Sequence, residues 1–290
     1  SAVHANVDIQ LDIPSGFIQG VLGENGAGKS TLMKVLSGFI QADRGEILID
    51  GKAAVIRSPA DAIRYGIGML HQDPLDFPPM KVIDNFMLGF PGGVFPDQKL
   101  AQAELLNLEK RFGFSIAPDG FVDSLTVGER QQLEIMRLLW LGVQVLILDE
   151  PTTGISAPQK EVLFSTLRRL AQDGKTIIFV SHKLEEVEGL CHKIVVFRQG
   201  KNVGEVYPPF RTERLVHMMF EKEIKKSARL CERQMTSLLE IQHMEIDDLK
   251  FKIKDINLDI KRGEVIGLAG MEGSGQRLIL RALAGLIRPT

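Results

Sequence analysis

Several things are scarce in this chain, and each scarcity closes a line of interpretation. There are 2 cysteines, Cys191 and Cys231, in no metal-like spacing. That excludes a disulfide scaffold and a cysteine zinc centre, and reads as two reduced thiols. No apolar run approaches 18 residues, so no membrane-spanning helix is predicted, though docking on a membrane partner stays open. Charge is nearly balanced, with 35 Lys+Arg against 37 Asp+Glu and a formal net charge of -2. No basic stripe stands out: the basic residues at 222–226 and 229–233 are mixed with Glu and read as a solvated helix face. A nucleic-acid partner therefore gets no support. Hydrophobic content of 44% and charged content of 25% are those of a globular protein, and 290 residues make one large domain or two ordinary ones.

What is present is a contiguous run, Gly23-Glu24-Asn25-Gly26-Ala27-Gly28-Lys29-Ser30-Thr31, a full match to the phosphate-binding loop G-x-x-x-x-G-K-[ST]. The glycines let successive backbone N–H groups cradle phosphate oxygens. Lys29 supplies a point charge for the β- and γ-phosphates of a nucleoside triphosphate, and the Ser30 hydroxyl suits Mg²⁺. Phe17–Leu22 reads as a strand entering the loop, while Leu32, Val35, Leu36 and Phe39 follow at helical spacing.

Further along, Val7, Ile9, Leu11 and Ile13 alternate with polar residues and predict a half-buried strand. Strands are also expected at 46–50, 67–70, 143–148 and 176–180, and a hairpin at 193–206 around Arg198-Gln199-Gly200-Lys201. Helices are expected at 59–65, 100–112, 129–141 and 158–172, with an irregular Pro- and Gly-rich stretch at 73–98. Strands alternating with helices predict an α/β domain with a mainly parallel sheet.

The chain also repeats itself. Asp8-Ile9-Gln10-Leu11-Asp12-Ile13 recurs as Asp255-Ile256-Asn257-Leu258-Asp259-Ile260. Gly16, Gly20, Gly23 and Gly28 recur as Gly263, Gly267, Gly270 and Gly275. So long a period signals a tandem domain. The expected organisation is a first domain at 1–206, a connector at 207–237 with an amphipathic helix at 213–226, and the truncated start of a second domain at 238–290.

A second strong motif is Val145-Leu146-Ile147-Leu148-Asp149-Glu150, an apolar strand that delivers two carboxylates to the sheet edge beside the phosphate loop. Asp149 suits Mg²⁺, and Glu150 suits the general base that polarises an attacking water.

With these motifs the chain resembles the nucleotide-binding subunit of ATP-binding-cassette (ABC) transporters. The resemblance implies a P-loop NTPase cassette with a mainly parallel core sheet, an antiparallel β subdomain and a helical subdomain at about 73–141. Gln72 stands where that family has its Q-loop glutamine, which reaches toward Mg²⁺ and the attacking water. Ser181-His182 matches the switch histidine, a γ-phosphate contact. Leu125-Thr126-Val127-Gly128-Glu129 matches the signature, normally Leu-Ser-Gly-Gly-Gln, which contacts nucleotide in trans. In the D-loop, Ser156 replaces the usual aspartate. The implied cofactors are ATP and Mg²⁺. The implied partners are transmembrane permease subunits, a second cassette or a second copy of this chain, and indirectly a substrate-binding protein, at the cytoplasmic face of a bacterial inner membrane.

More narrowly, the chain is similar to the tandem-cassette importers of simple sugars and nucleosides, with the nucleoside group slightly favoured by the second loop. That loop, Gly270-Met271-Glu272-Gly273-Ser274-Gly275-Gln276-Arg277, has lost the lysine to Gln276 and the metal-binding hydroxyl to Arg277. Because family cassettes pair head to tail, the altered signature (Thr126, Val127, Glu129) and the altered loop (Gly270, Gly273, Gly275, Gln276) fall in one composite site. The expectation is one hydrolytic site and one weak or nucleotide-holding site in the parent protein, and a loosely held segment from Leu238 onward. The family's adenine-stacking aromatic normally precedes the first strand and is expected upstream of Ser1; Tyr65 is not at its place. Phe77, Met80, Val82, Phe86 and Met87 are candidates for a permease socket, with ordinary subdomain core as the alternative. Two other functional readings remain open here: a non-transport ABC ATPase of the translation or DNA-repair type, and an ATP-binding fragment that is inactive without its second cassette. An ordinary kinase or GTPase does not account for the signature, and no Asn-Lys-x-Asp guanine motif occurs.

Overall fold

β1 (Ile18–Gly23) is buried at every position, which requires cover on both faces of a sheet. The computed structural model describes residues 5–72, 75–90, 97–220, 236–248, 251–270 and 274–289. It divides into two compact units, Ser1–Ile224 and Lys225–Thr290. In the first, β2 (Ile47–Ile49) and β3 (Lys52–Ala54) form a small antiparallel hairpin. β1 joins β4 (Ile67–Leu70), β5 (Val145–Asp149), β6 (Thr176–Ser181), β7 (Lys193–Arg198) and β8 (Lys201–Val206) in one sheet of order β4-β5-β6-β1-β7-β8. All its pairings are parallel except β7 with β8. That last turn holds Gln199 and Gly200 at φ 50 and 77°, the two left-handed residues of a tight hairpin.

Period-two alternation divides the buried side chains between two cores. Leu146 and Leu148 of β5, with Ile177 and Phe179 of β6, face one; Ile147, Ile178 and Val180 face the other. α1 (Lys29–Leu36) and α2 (Pro59–Arg64) cover the second core through Met33 and Ala62. The first core is covered by α3 (Val82–Met87), α4 (Gln98–Phe112), α5 (Val127–Trp140), α6 (Ala157–Gln172), α7 (Leu184–Leu190) and α8 (Thr212–Phe220). Among the described residues no helix is long and apolar enough to cross a membrane.

Three expectations need correction. Residues 7–13 form no strand, although Ile9, Leu11 and Ile13 still pack against the second core. A strand needs a ladder partner, and here the segment's backbone bond is Val7 N to Gly200 O at 2.8 Å. The stretch at 73–98, expected to be irregular, contains α3, because Val82, Ile83 and Phe86 share one apolar helix face between Pro79 and Gly89. Val82 and Phe86 are therefore core; Met80 and Met87 are half-buried, and Phe77 is left exposed. Finally, α8 lies inside the expected connector, yet it buries Leu215 and Met219 in the first unit's core. The rest of that connector, 221–235, lies outside the described residues.

In the second unit β9 (Ser237–Asp248) and β10 (Phe251–Lys261) pair antiparallel, and α9 (Gln276–Leu283) follows. Here the repeated segment, Asp255–Ile260, does have a partner strand.

Candidate functional site

β1 ends where the glycines begin. Gly26 and Gly28 have φ of 83 and 97°, a region open to glycine and strained for other residues. Gly28 also leaves no room for a side chain, since a Cβ would run into the Ala5 carbonyl and the Asn6 amide. No side chain caps α1, so the helix's first N–H groups and positive end face the loop. Lys29 folds back over the loop, donating from Nζ to Gly23 O at 2.7 Å and to Glu24 O at 2.9 Å. Burial holds its ammonium pKa below the ordinary lysine value, opposed by the charges of Glu150, Asp149 and Glu24.

Strand register brings the other motifs to the same edge. Val21 of β1 and Asp149 of β5 both pair with Val180 of β6, while Leu70 of β4 pairs with Leu148. The residues just past these rows, Gly23, Glu150, His182 and Gln72, leave the sheet together at its carboxyl end, where open α/β sheets bind ligands. Asp149 is buried, and burial raises its carboxyl pKa above the ordinary value; a hydrogen bond from the Ser30 side chain opposes this, Glu150 adds to it, and Lys29 and His71 oppose it. Asp149 Oδ1 is buried with no hydrogen-bond partner. Glu150 sits at φ 49°, an uncommon conformation for a non-glycine residue, held by its N–H to Val180 O at 2.9 Å. Its Oε1 lies 2.8 Å from His182 Nδ1. Gln72 is exposed two residues beyond β4.

Two participants were invisible in the sequence. Glu186 of α7 is buried and accepts from Thr152 Oγ1 at 2.8 Å and Ser181 Oγ at 3.0 Å. It thereby ties the turn after Glu150 to the end of β6 just before His182. Lys183 Nζ completes the knot, 3.2 Å from both Glu186 and Thr152. A Glu in the first turn of a short helix looks like a solvated helix starter, so nothing local distinguishes it. His71 is half-buried edge-on to Phe39, ring centroids 4.7 Å apart. Burial lowers its imidazole pKa; Asp149 opposes this, and Lys34 and Arg137 reinforce it.

The signature lies at the start of α5. Thr126 and Glu129 form a reciprocal cap: Thr126 N and Oγ1 donate to Glu129 Oε2 at 2.8 and 2.7 Å, and Glu129 N donates to Thr126 Oγ1 at 3.3 Å. Gln159 Nε2 donates to Thr126 Oγ1 at 3.3 Å and presses on Gly128, where a Cβ would meet it at 2.8 Å. Val127 is exposed. Among the described residues no hydrogen bond joins Thr126–Glu129 to the chain's own phosphate loop.

In the second unit Gly275 caps α9 at φ 102° and ψ -4°, close to Gly28 at 97° and 0°. The Gln276 side chain folds back to Gly270, as Lys29 does to Gly23. Met271, Glu272 and Gly273 lie outside the described residues.

Comparison with known proteins matches this arrangement. A family profile described as "ABC transporter" matches residues 7–153. The nucleoside import ATP-binding protein NupA of Lactococcus lactis is 35% identical over 290 residues, covering 98% of this chain and 57% of that protein. The glucose import ATP-binding protein TsgD13 of Haloferax volcanii is 36% identical over 321 residues, covering 98% and 58%. The chain thus spans little more than half the length of these relatives. A solved nucleotide-free ATP-binding cassette from an ABC transporter has the same fold, with TM-score 0.64 and 24% identity, covering 70% of this chain and 85% of that one. With the phosphate loop, the Asp-Glu strand and the histidine gathered on one sheet edge, and with a matching family profile, the chain belongs to the ABC transporter family of ATP-binding cassettes.

Proposed function

We propose that this chain binds and hydrolyses ATP to power import of a simple sugar or a nucleoside. It works at the cytoplasmic face of a bacterial inner membrane against transmembrane permease subunits, with a substrate-binding protein engaged indirectly. The observation that carries this reading is the convergence of Lys29, Ser30, Asp149, Glu150 and His182 at one sheet edge. Lys29 exchanges the Gly23 and Glu24 carbonyls for the β- and γ-phosphates, and the backbone of Gly23–Thr31 cradles the rest. Glu150 takes the proton of the attacking water, and His182 holds that carboxylate at 2.8 Å while facing the γ-phosphate. Mg²⁺ fits the donor set: the Ser30 side chain already meets Asp149, whose Oδ1 is buried without a partner. Ser30, Asp149 and Gln72 would hold it. When bound, the ion neutralises phosphate charge as the terminal P–O bond breaks. The substrate class rests on the relatives' names, one a nucleoside and one a glucose import protein.

The partner site is weaker. Glu129 already places a carboxylate on the positive end of α5, so a γ-phosphate arriving from a second cassette meets like charge there. This supports one hydrolytic site at Lys29, Ser30, Asp149 and Glu150, and a weaker, nucleotide-holding role for the signature Thr126–Glu129. Equal losses of turnover for Gln276→Ala and Glu150→Gln in the parent protein would contradict that asymmetry. The direct test is Mg-ATP hydrolysis by this chain against protein concentration, with Lys29→Ala as blank. Turnover rising faster than linearly means that two copies pair; binding without turnover means that catalysis needs the second cassette; no Lys29-dependent binding refutes the proposal.

A further inference from the structure

The phosphate loop is held from outside by two segments that the chemistry above does not use. One is the stretch at 5–13, which runs along the β7–β8 hairpin without forming a ladder. Val7 N donates to Gly200 O at 2.8 Å, Asn202 Nδ2 to Gln10 O at 3.4 Å, and the buried Lys193, from Nζ, to Asp12 O at 2.8 Å. Ile9, Leu11 and Ile13 anchor the same stretch in the second core. This path delivers Asn6 to the loop, where its Nδ2 donates to Gly28 O at 3.1 Å. The other segment is the hairpin tip, whose Gly200 N donates to Ala27 O at 3.0 Å.

These two bonds fix direction as well as position. In a trans peptide the C=O of one residue and the N–H of the next point opposite ways. With Ala27 C=O turned outward to Gly200, the Gly28 N–H is turned inward. Gly28 C=O is shared between Leu32 N, at 3.1 Å, and Asn6 Nδ2. The helix bond to Leu32 holds that carbonyl along the axis, and Asn6 adds a lateral restraint, which aims the Lys29 N–H into the loop. Donors held in place before a ligand arrives need no reorganisation to meet its charge.

The internal repeat supplies a comparison within the same chain. At the offset that takes Gly28 to Gly275, Asn6 becomes Ile253. Gly275 keeps the left-handed conformation, and the Ile253 side chain packs where a Gly275 Cβ would stand, as Asn6 does at Gly28. The second loop thus keeps the shape of this contact and lacks its donor, just as it lacks the lysine and the hydroxyl.

We propose that Asn6 and the Gly200 N–H form a clasp that turns the Gly28 and Lys29 amides toward the phosphate oxygens of bound nucleotide. Both act through the loop's carbonyls, so Asn6 is a positioning residue. The clasp rests on the ATP-binding reading above.

The test is proton–nitrogen NMR of the full 290-residue chain titrated with a non-hydrolysable Mg-ATP analogue. In the wild type the Gly28 and Lys29 amides move downfield as they bond phosphate. Asn6→Leu has nearly the shape of asparagine without its donor. It should bind the analogue about fivefold more weakly, with the downfield move of the Lys29 amide diminished. A side chain that merely filled space would leave that move intact, because leucine fills the same space. Should Asn6→Leu fail to fold, Asn6→Ala removes the donor without adding apolar bulk, with the same expected change. An undiminished Lys29 response overturns the clasp, whatever the Kd, and leaves ATP binding standing. Absence of analogue binding by the wild type overturns the ATP-binding reading and the clasp with it.

Discussion

Removing the Glu186 carboxylate tests whether the two turns carrying Glu150 and His182 are held from behind. Glu186 is 4% exposed and accepts from two hydroxyls, Thr152 Oγ1 at 2.8 Å and Ser181 Oγ at 3.0 Å, with Lys183 Nζ at 3.2 Å. A hydrogen bond to a charged group contributes about 1.5–3 kcal/mol, so Glu186→Ala costs about 3 kcal/mol even after Thr152 and Ser181 keep their bonds with Lys183. For a unit of this size that lowers the melting temperature by about 6–12 °C. Urea unfolding of the wild type, Glu186→Ala, Thr152→Val and the double variant isolates the pair. The expected coupling is about 1–2 kcal/mol. Single effects that add, or a Glu186→Ala loss below about 0.5 kcal/mol, would refute the knot as the element that positions Glu150 and His182.

Other predictions follow from the same geometry. Burial raises the Glu134 carboxyl from 4.5 to about 7, against the opposing pull of Arg137. Because the folded value is the higher one, the resulting stability is complete below pH 4.5 and is lost as pH rises through 7. The amount is about 3 kcal/mol, and urea midpoints of Glu134→Gln should lack this slope. Gly28→Ala combines a left-handed φ of 97° with a clash against Ala5 and Asn6. It should weaken nucleotide binding at least about tenfold in a fluorescence titration, where an unchanged Kd would argue against the cradle. Phe179 is fully buried and meets Phe164 edge-on at 5.7 Å. Phe179→Ala should cost about 3–5 kcal/mol in chemical unfolding.

The division between what was readable in the chain and what was not follows the range of the physics. Glycine conformation, a lysine and a hydroxyl at fixed spacing are local properties, so Gly23–Thr31 announced its loop without any partner. The apolar run 145–148 likewise announced a strand covered on both faces, because continuous hydrophobicity needs no knowledge of which strands lie beside it. Alternation at Val7–Ile13 was read correctly as half-burial and wrongly as a strand, since a strand also needs a neighbour's hydrogen bonds. The role of Glu186 and the edge-on packing of His71 against Phe39 depend on residues 34 and 32 positions away. So does the gathering of Gln72, Glu150 and His182, which is a matter of register between strands. The amino-acid sequence alone determined the chemical groups and the local turns that present them. Tertiary structure decided which of those groups meet, because burial and long-range pairing depend on the packed neighbours and not on any one stretch of chain.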